Sequence, residues 1–134
     1  MSRYRDPYVH VYLREMIGAC ERILLYTSEI SFEDYIHDHL VQDAVLRNFE
    51  VLGEASNHVP YNIRKTEKSI PWNSMYSLRN HIVHEYFDVD EEILWEIVVH
   101  DLPRNIKDLI RILERVESGA ASMSQAPAKT RRKK

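Results

Sequence analysis

An all-α, up-and-down bundle of four to five helices is the fold class this sequence predicts, and three observations predict it. Apolar residues recur at three-to-four spacing over most of the chain, the period of a helix buried on one side. Glycine is scarce, with only Gly18, Gly53 and Gly119, and no Asn-Gly or Asp-Gly pair signals a hairpin. Proline falls where helices start, stop or bend, at Pro7, Pro60, Pro71 and Pro103.

The first helix runs from Pro7 to about Tyr26, with Val9, Leu13, Met16 or Ile17, Cys20, and Ile23 or Leu24 on its apolar side. Ser31-Phe32-Glu33-Asp34 reads as a variant capping box, because the serine hydroxyl can accept an early backbone N–H while an acid three residues on reaches back. A short second helix therefore follows, ending near His39. From about Leu40 to Val59 the residues Val41, Val45, Phe49, Leu52, Ser56 and Val59 share one face, and Pro60 stops the helix. The segment 61–70 is polar and charged and reads as a loop. Pro71-Trp72 opens a helix carrying Met75, Leu78 and Ile82 to about Phe87. Asp88 or Asp90 can cap the last helix, whose expected stripe is Ile93, Ile97, Leu102, Ile106, Leu109, Ile110 and Leu113. Pro103 is expected to kink it, since an interior proline removes one hydrogen bond and clashes with the preceding turn.

A chain of 134 residues holds one core of ordinary size. No apolar run approaches the roughly 18 residues that would span a membrane, and no apolar stretch follows the charged start, so a cytoplasmic protein is expected. The lone Cys20 cannot close an internal disulfide, and at a helical position it reads as a small buried residue. After residue 118 the composition turns to Ala, Ser, Gln, Pro and basic residues. The expected organisation is a helical domain over 1–118 and a disordered basic tail over 119–134. Five of the last six residues are Lys or Arg; the remainder sets 13 cations against 21 acids, about −8. Such a body is a poor nonspecific ligand for nucleic acid, so contact with RNA needs a local groove, the tail, or a surface built by more than one chain.

Chemistry concentrates in Ser77-Leu78-Arg79-Asn80-His81-Ile82-Val83-His84-Glu85-Tyr86-Phe87. At about 100° per residue Asn80 and His84 share a face, whereas Arg79 lies about 140° from His84. Arg79 must either curl toward His84 or meet it across a symmetric interface. An imidazole titrates near neutral pH and can take a proton from a ribose 2′-hydroxyl, while a guanidinium fork stabilises charge developing on a phosphorane. From spacing alone, a structural arginine and a satisfied bundle histidine are the commoner case.

The motif and its flanks change those odds. The chain resembles the HepT group of the HEPN superfamily, whose pattern of Arg, a polar residue, three more residues, His, one residue and Tyr is matched from Arg79 to Tyr86. Similar flanking blocks are Tyr12-Leu13, Ser31-Phe32, Gln42-Asp43-Ala44-Val45-Leu46-Arg47, Val51-Leu52-Gly53-Glu54-Ala55, Ile70-Pro71-Trp72, Trp95-Glu96-Ile97 and Asp101-Leu102-Pro103. The resemblance covers the chain to about residue 117 and leaves the basic tail outside. It implies a HEPN-like fold and a metal-independent, cofactor-free endoribonuclease toxin acting as a homodimer. Arg79 and His84 would be the catalytic pair and Asn80 the orienting residue. It further implies a nucleotidyltransferase antitoxin of the MntA type that transfers AMP to the motif tyrosine, here Tyr86.

Two further features were weighed. Asp43, Arg47, Glu50, Glu54 and His58 form a charged stripe on the long helix, more often a solvated face than a functional wall. If that helix faces the motif helix, Arg47 and Glu54 become supporting residues of the site. The pairs His81/His84 and His37/His39 lack a convincing third ligand nearby in sequence, so no metal is expected. A noncatalytic helical module that binds a nucleotidyltransferase is the alternative function; the joint presence of Arg79, Asn80, His84 and Tyr86 favours the ribonuclease.

Overall fold

The computed structural model describes residues 6–125. Helix α1 spans Val9–Thr27, a short α2 Phe32–Ile36, α3 His39–His58, a single-turn α4 Tyr61–Arg64 and α5 Trp72–Glu85, which tightens into a 3-10 turn over Tyr86–Asp88. The last rod begins as α6, Glu91–Glu96, passes through a π turn at Ile97–Asp101 and continues as α7, Leu102–Gln125. Among the described residues there is no strand. Helix α1 packs between α3 and α7, and α3 packs in turn on α5. The predicted helical bundle is therefore the observed one. α7 runs to Gln125, and the basic cluster of the tail lies outside the described residues.

The helix starts follow from side chains that satisfy early amides. The Asp34 amide donates to Ser31 Oγ at 3.0 Å and the Ser31 amide donates back to Asp34 Oδ2 at 3.3 Å, completing the expected capping box. Asp90, rather than Asp88, caps the last rod by accepting from the Glu92 and Ile93 amides. Asp38 does the same for α3 through the Val41 amide at 3.1 Å.

Leu13, Met16 and Ile23 of α1, Val45, Phe49 and Leu52 of α3, Met75 and Ile82 of α5, and Leu102, Leu109 and Ile112 of α7 meet in one core. Cys20 lies in that core. Burial, reinforced by the Glu21 carboxylate, pushes its thiol up to about 12. Burial, with the hydrogen bond donated to Glu91 at 2.5 Å, likewise raises the Tyr35 phenol.

The last rod departs from the expected stripe. Leu94, Val98, Leu102, Leu109, Ile112 and Leu113 are buried, while Ile93 is 59% and Ile110 37% exposed. At about 100° per residue Ile93, nine residues before Leu102, falls on the opposite side of the helix, while Val98 and Leu94 fall nearer the Leu102 side. Between Leu94 and Leu102 runs the π turn, in which the Leu102 amide donates to Ile97 O five residues back. The discontinuity expected around Pro103 thus takes the form of a widened turn just before it. Ile110 sits at the margin of the buried stripe.

Segment 61–70 is more structured than a polar loop. Besides α4 it holds Glu67, which is only 8% exposed. Glu67 pairs with Arg111 at 3.2 Å and with Arg115, and its carbonyl accepts the Trp72 indole N–H at 2.9 Å. A buried carboxylate needs such double pairing to offset its desolvation. The link ties the entry of α5 to α7. Among the described residues no buried side-chain polar atom lacks a hydrogen-bond partner.

One backbone position is strained. Glu29, between α1 and α2, has φ of 63°, where a Cβ is disfavoured and glycine is not. Glu29→Gly is expected to stabilise the fold by about 1 kcal/mol, net of glycine's greater freedom in the unfolded chain. A rise in thermal midpoint checks this, and a fall would show that the Glu29 side chain outweighs the strain.

Candidate active site

The motif helix lies against α3 because position 53 carries no side chain. A Cβ built on Gly53 would stand 2.4 Å from Arg79 Cβ and 2.5 Å from the Met75 carbonyl oxygen. The two helices touch at that point, and the next residue of α3, Glu54, faces the arginine.

Glu54 Oε1 lies 3.2 Å from Arg79 Nε, and Glu54 Oε2 lies 3.2 Å from His58 Nε2. The Tyr12 ring of α1 stacks on His58 with centroids 5.2 Å apart. The other end of the guanidinium is also held, since Arg79 Nη1 donates to Asn80 Oδ1 at 2.6 Å. Its Cζ sits 5.7 Å from the Tyr76 ring centroid, a cation–π contact. Arg79 is therefore fixed by groups from two helices and bends toward the Asn80 side of α5. These contacts hold Arg79 on Glu54, Asn80 and Tyr76.

A groove of about 360 Å³ between α1, α3 and α5 is lined by Tyr12, Arg47, Glu50, Glu54, His58 and Arg79, with Val83 at its edge. Arg47 reaches Glu50 at 3.4 Å and contributes a second cation to this wall. Glu54 of the charged stripe thus meets the motif helix, while Arg47 and Glu50 line the groove beside it. Tyr12, His58 and Tyr76 are neighbours that sequence spacing did not assign to the site. Tyr12 lay within a family-like block, but α1 and α3 had to be packed before its ring could be placed on His58.

His84 stands one turn beyond Asn80 on the same face and is exposed. Among the described residues its imidazole has no hydrogen-bond or ion-pair partner, so it is open to whatever approaches that face. The backbone of Tyr86 begins the 3-10 turn that follows α5. Val83 is 44% and Phe87 83% exposed, which places apolar surface beside His84.

His81 differs from expectation. Glu85 reaches it from one turn on in α5, and the turn after α5 adds Asp88, forming a group whose ligand-type atoms lie within 4.8 Å of one another. Both ring nitrogens are engaged, Nδ1 with Glu85 at 3.2 Å and Nε2 with the Asp88 carbonyl at 3.3 Å. Sequence spacing missed this cluster because it is closed by the 3-10 turn. His81 braces the helix end.

The site is thus an accessible imidazole with an amide one turn earlier and a clamped guanidinium beside that amide, on an all-helical scaffold. The family model described as "Ribonuclease HepT-like" matches residues 16–116, and the chain belongs to the HepT-like ribonuclease family. It is 40% identical over 92 residues to the "Probable ribonuclease HepT" of Thermococcus cleftensis, covering 69% of this chain and 84% of that one. Proteins provisionally named as RNases are 31% identical in Methanocaldococcus jannaschii (81% of this chain, 90% of that one) and 32% in Caldanaerobacter subterraneus (78% and 93%). No solved structure matches at a comparable level of significance. Among the described residues no helix is long and apolar enough to cross a membrane.

Gly53→Ala is expected to destabilise the fold and displace Arg79. Overpacking costs about 1–3 kcal/mol, offset only in part by about 1 kcal/mol of helix propensity. A thermal melt checks this, and an unchanged midpoint would show that α3 and α5 separate freely.

Proposed function

We propose that the chain is the toxin of a toxin–antitoxin pair, an endoribonuclease that needs no metal for bond cleavage. The observation that carries this reading is the Arg79 clamp beside an open His84, on a chain of this ribonuclease family. In the proposed step His84 removes the proton of a ribose 2′-hydroxyl. The freed oxygen attacks the adjacent phosphorus, and Arg79 stabilises the charge on the phosphorane. The P–O5′ bond breaks, leaving a 2′,3′-cyclic phosphate and, once the leaving oxygen is protonated, a 5′-hydroxyl. The nucleophile belongs to the substrate, which is why no serine, cysteine or metal hydroxide is invoked.

Glu54 and Asn80 hold the guanidinium from two sides. Exposed Val83 and Phe87 give that face an apolar rim suited to a second copy of the chain, which would set two Arg79–His84 pairs around one composite cleft. An MntA-type nucleotidyltransferase antitoxin would neutralise the toxin by transferring AMP to Tyr86, two residues from His84. The added phosphate and adenosine would repel the RNA backbone and occupy its space.

Arg79→Ala and His84→Ala are each expected to lower RNA cleavage by about 100-fold or more while the helical circular dichroism is retained. Cleavage by the wild type is expected to persist in EDTA. A folded Arg79→Ala/His84→Ala variant that still cleaves would sink the mechanism, and loss of cleavage in EDTA would turn attention to the His81, Glu85 and Asp88 cluster. Coexpression with a nucleotidyltransferase partner is expected to add one or more AMP units, mapped by fragmentation to Tyr86, with loss of cleavage. An unmodified, inactive chain would favour the noncatalytic module instead.

A further inference from the structure

A nuclease whose body carries about −8 must draw in a polyanion somewhere, and the described surface offers a cationic concavity apart from the groove at Arg79, where Arg47 and Arg79 face Glu15, Glu50 and Glu54. It lies at the other end of α5, a pocket of about 380 Å³ lined by Tyr61, Arg64, Lys65 and Lys68 from the α4 region and by Asn73 and Ser74 from the first turn of α5. The one acid of this segment, Glu67, is buried and occupied by Arg111 and Arg115, so it does not cancel the three outward cations. Arg64 is held in place because its Nε donates to the Val59 carbonyl at 2.8 Å. Arg64 and Lys65 lie 5.8 and 5.7 Å from the centroid of the Tyr61 ring, which is itself 67% exposed. Cations flanking an open aromatic ring are the elements of single-strand binding, a charge track for phosphates and a face on which a base stacks.

The pocket is in line with the motif. Asn73, Ser77, Asn80 and His84 follow one another at spacings of four, three and four, so they form one stripe along α5. Asn73 lines the pocket, and His84 lies roughly 16 Å farther along the helix at 1.5 Å per residue. Asn73, Ser77 and His84 are exposed and Asn80 is half-buried. A polar path thus leads from the cationic pocket to the imidazole.

We infer that the Tyr61, Arg64, Lys65 and Lys68 pocket is a subsite for the backbone of single-stranded RNA, holding a stretch of the strand a few nucleotides from the bond at His84 with one base stacked on Tyr61. The inference rests on the ribonuclease reading for its substrate, but its test separates the two. The full-length chain and its Lys65→Gln/Lys68→Gln variant, altered only at exposed side chains, are titrated with a fluorescent, fully 2′-O-methylated oligouridine that cannot be cleaved. At about 0.7 counterions per phosphate contact, the variant is expected to bind about 25-fold more weakly at 0.1 M salt, with a log–log salt slope shallower by about 1.4. Tyr61→Leu is expected to lose about fivefold or more at every salt concentration. Cleavage of a dinucleotide, too short to reach the pocket, is expected to be unchanged in the lysine variant.

If the wild type cleaves RNA and the lysine variant binds the oligouridine with unchanged affinity and slope, the subsite is overturned while the nuclease stands. A wild type that cleaves nothing, with binding still lost in the variant, would keep the subsite and remove the nuclease. ATP binding that depends on Lys65 and Lys68 while oligouridine binding does not would overturn the RNA assignment in favour of a mononucleotide site.

Discussion

The absence of a side chain at position 53 is the constraint on which the site depends. Arg79 Cβ and the Met75 carbonyl occupy the space that a Cβ there would fill, so α3 and α5 cross at near-backbone contact. That approach makes Glu54 the immediate neighbour of Arg79, at the edge of the groove lined by Arg47, Glu50 and His58. The ion pair fixing the guanidinium is thus a consequence of helix packing. A surface arginine spends much rotamer freedom in being ordered; here the helix crossing, Asn80 and the Tyr76 ring restrict it in advance.

Two glutamates organise the polar part of the molecule in opposite ways. Glu67 is sealed beneath Arg111 and Arg115, where its charge is neutralised and its role is to hold the entry of α5 to α7. Glu54 is about half exposed and bridges Arg79 and His58 at the lip of a groove. Solvent screening keeps the second bridge weak, and in the proposed reaction a phosphate competes for the same guanidinium. The buried pair fixes architecture, and the exposed one leaves the arginine available.

Much of the fold was legible in the sequence because one-sided burial writes its period into the residues. The stripes of α1 and α3, the Ser31 capping box, the Pro60 stop and the Pro71 start all follow from local rules. Ile93 did not, because nine residues before Leu102 put it about 180° from that residue, outside the stripe that Leu94 and Val98 join. Glu67 was illegible for another reason. Its partners are 44 and 48 residues away, and a lone acid in a polar segment carries no sign of a distant pair. The site was legible as a motif, and Arg47 and Glu54 as residues conditional on helix pairing. Tyr12, His58 and Tyr76 required the packing itself. Glu85 follows His81 at i,i+4 within α5, whereas the closure of Asp88 on His81 required the 3-10 turn.

The widened turn at Ile97–Asp101 has a meaning for length as well as for shape. Residues in an ordinary surface loop can be gained or lost with little effect, whereas in the 24-residue helix that follows the turn a single residue sets which side looks inward. The π turn takes up the rotation of one extra residue, so removing a residue there would restore an unbroken helix with α6 and α7 in nearly their present phase. The same deletion early in α7 would rotate all that follows by about 100°, carrying Leu109 and Ile112 out of the core and Arg111 and Arg115 away from Glu67. The rod between Glu91 and Gln125 is therefore tolerant of substitution at its exposed positions and of a change in count only within its widened turn.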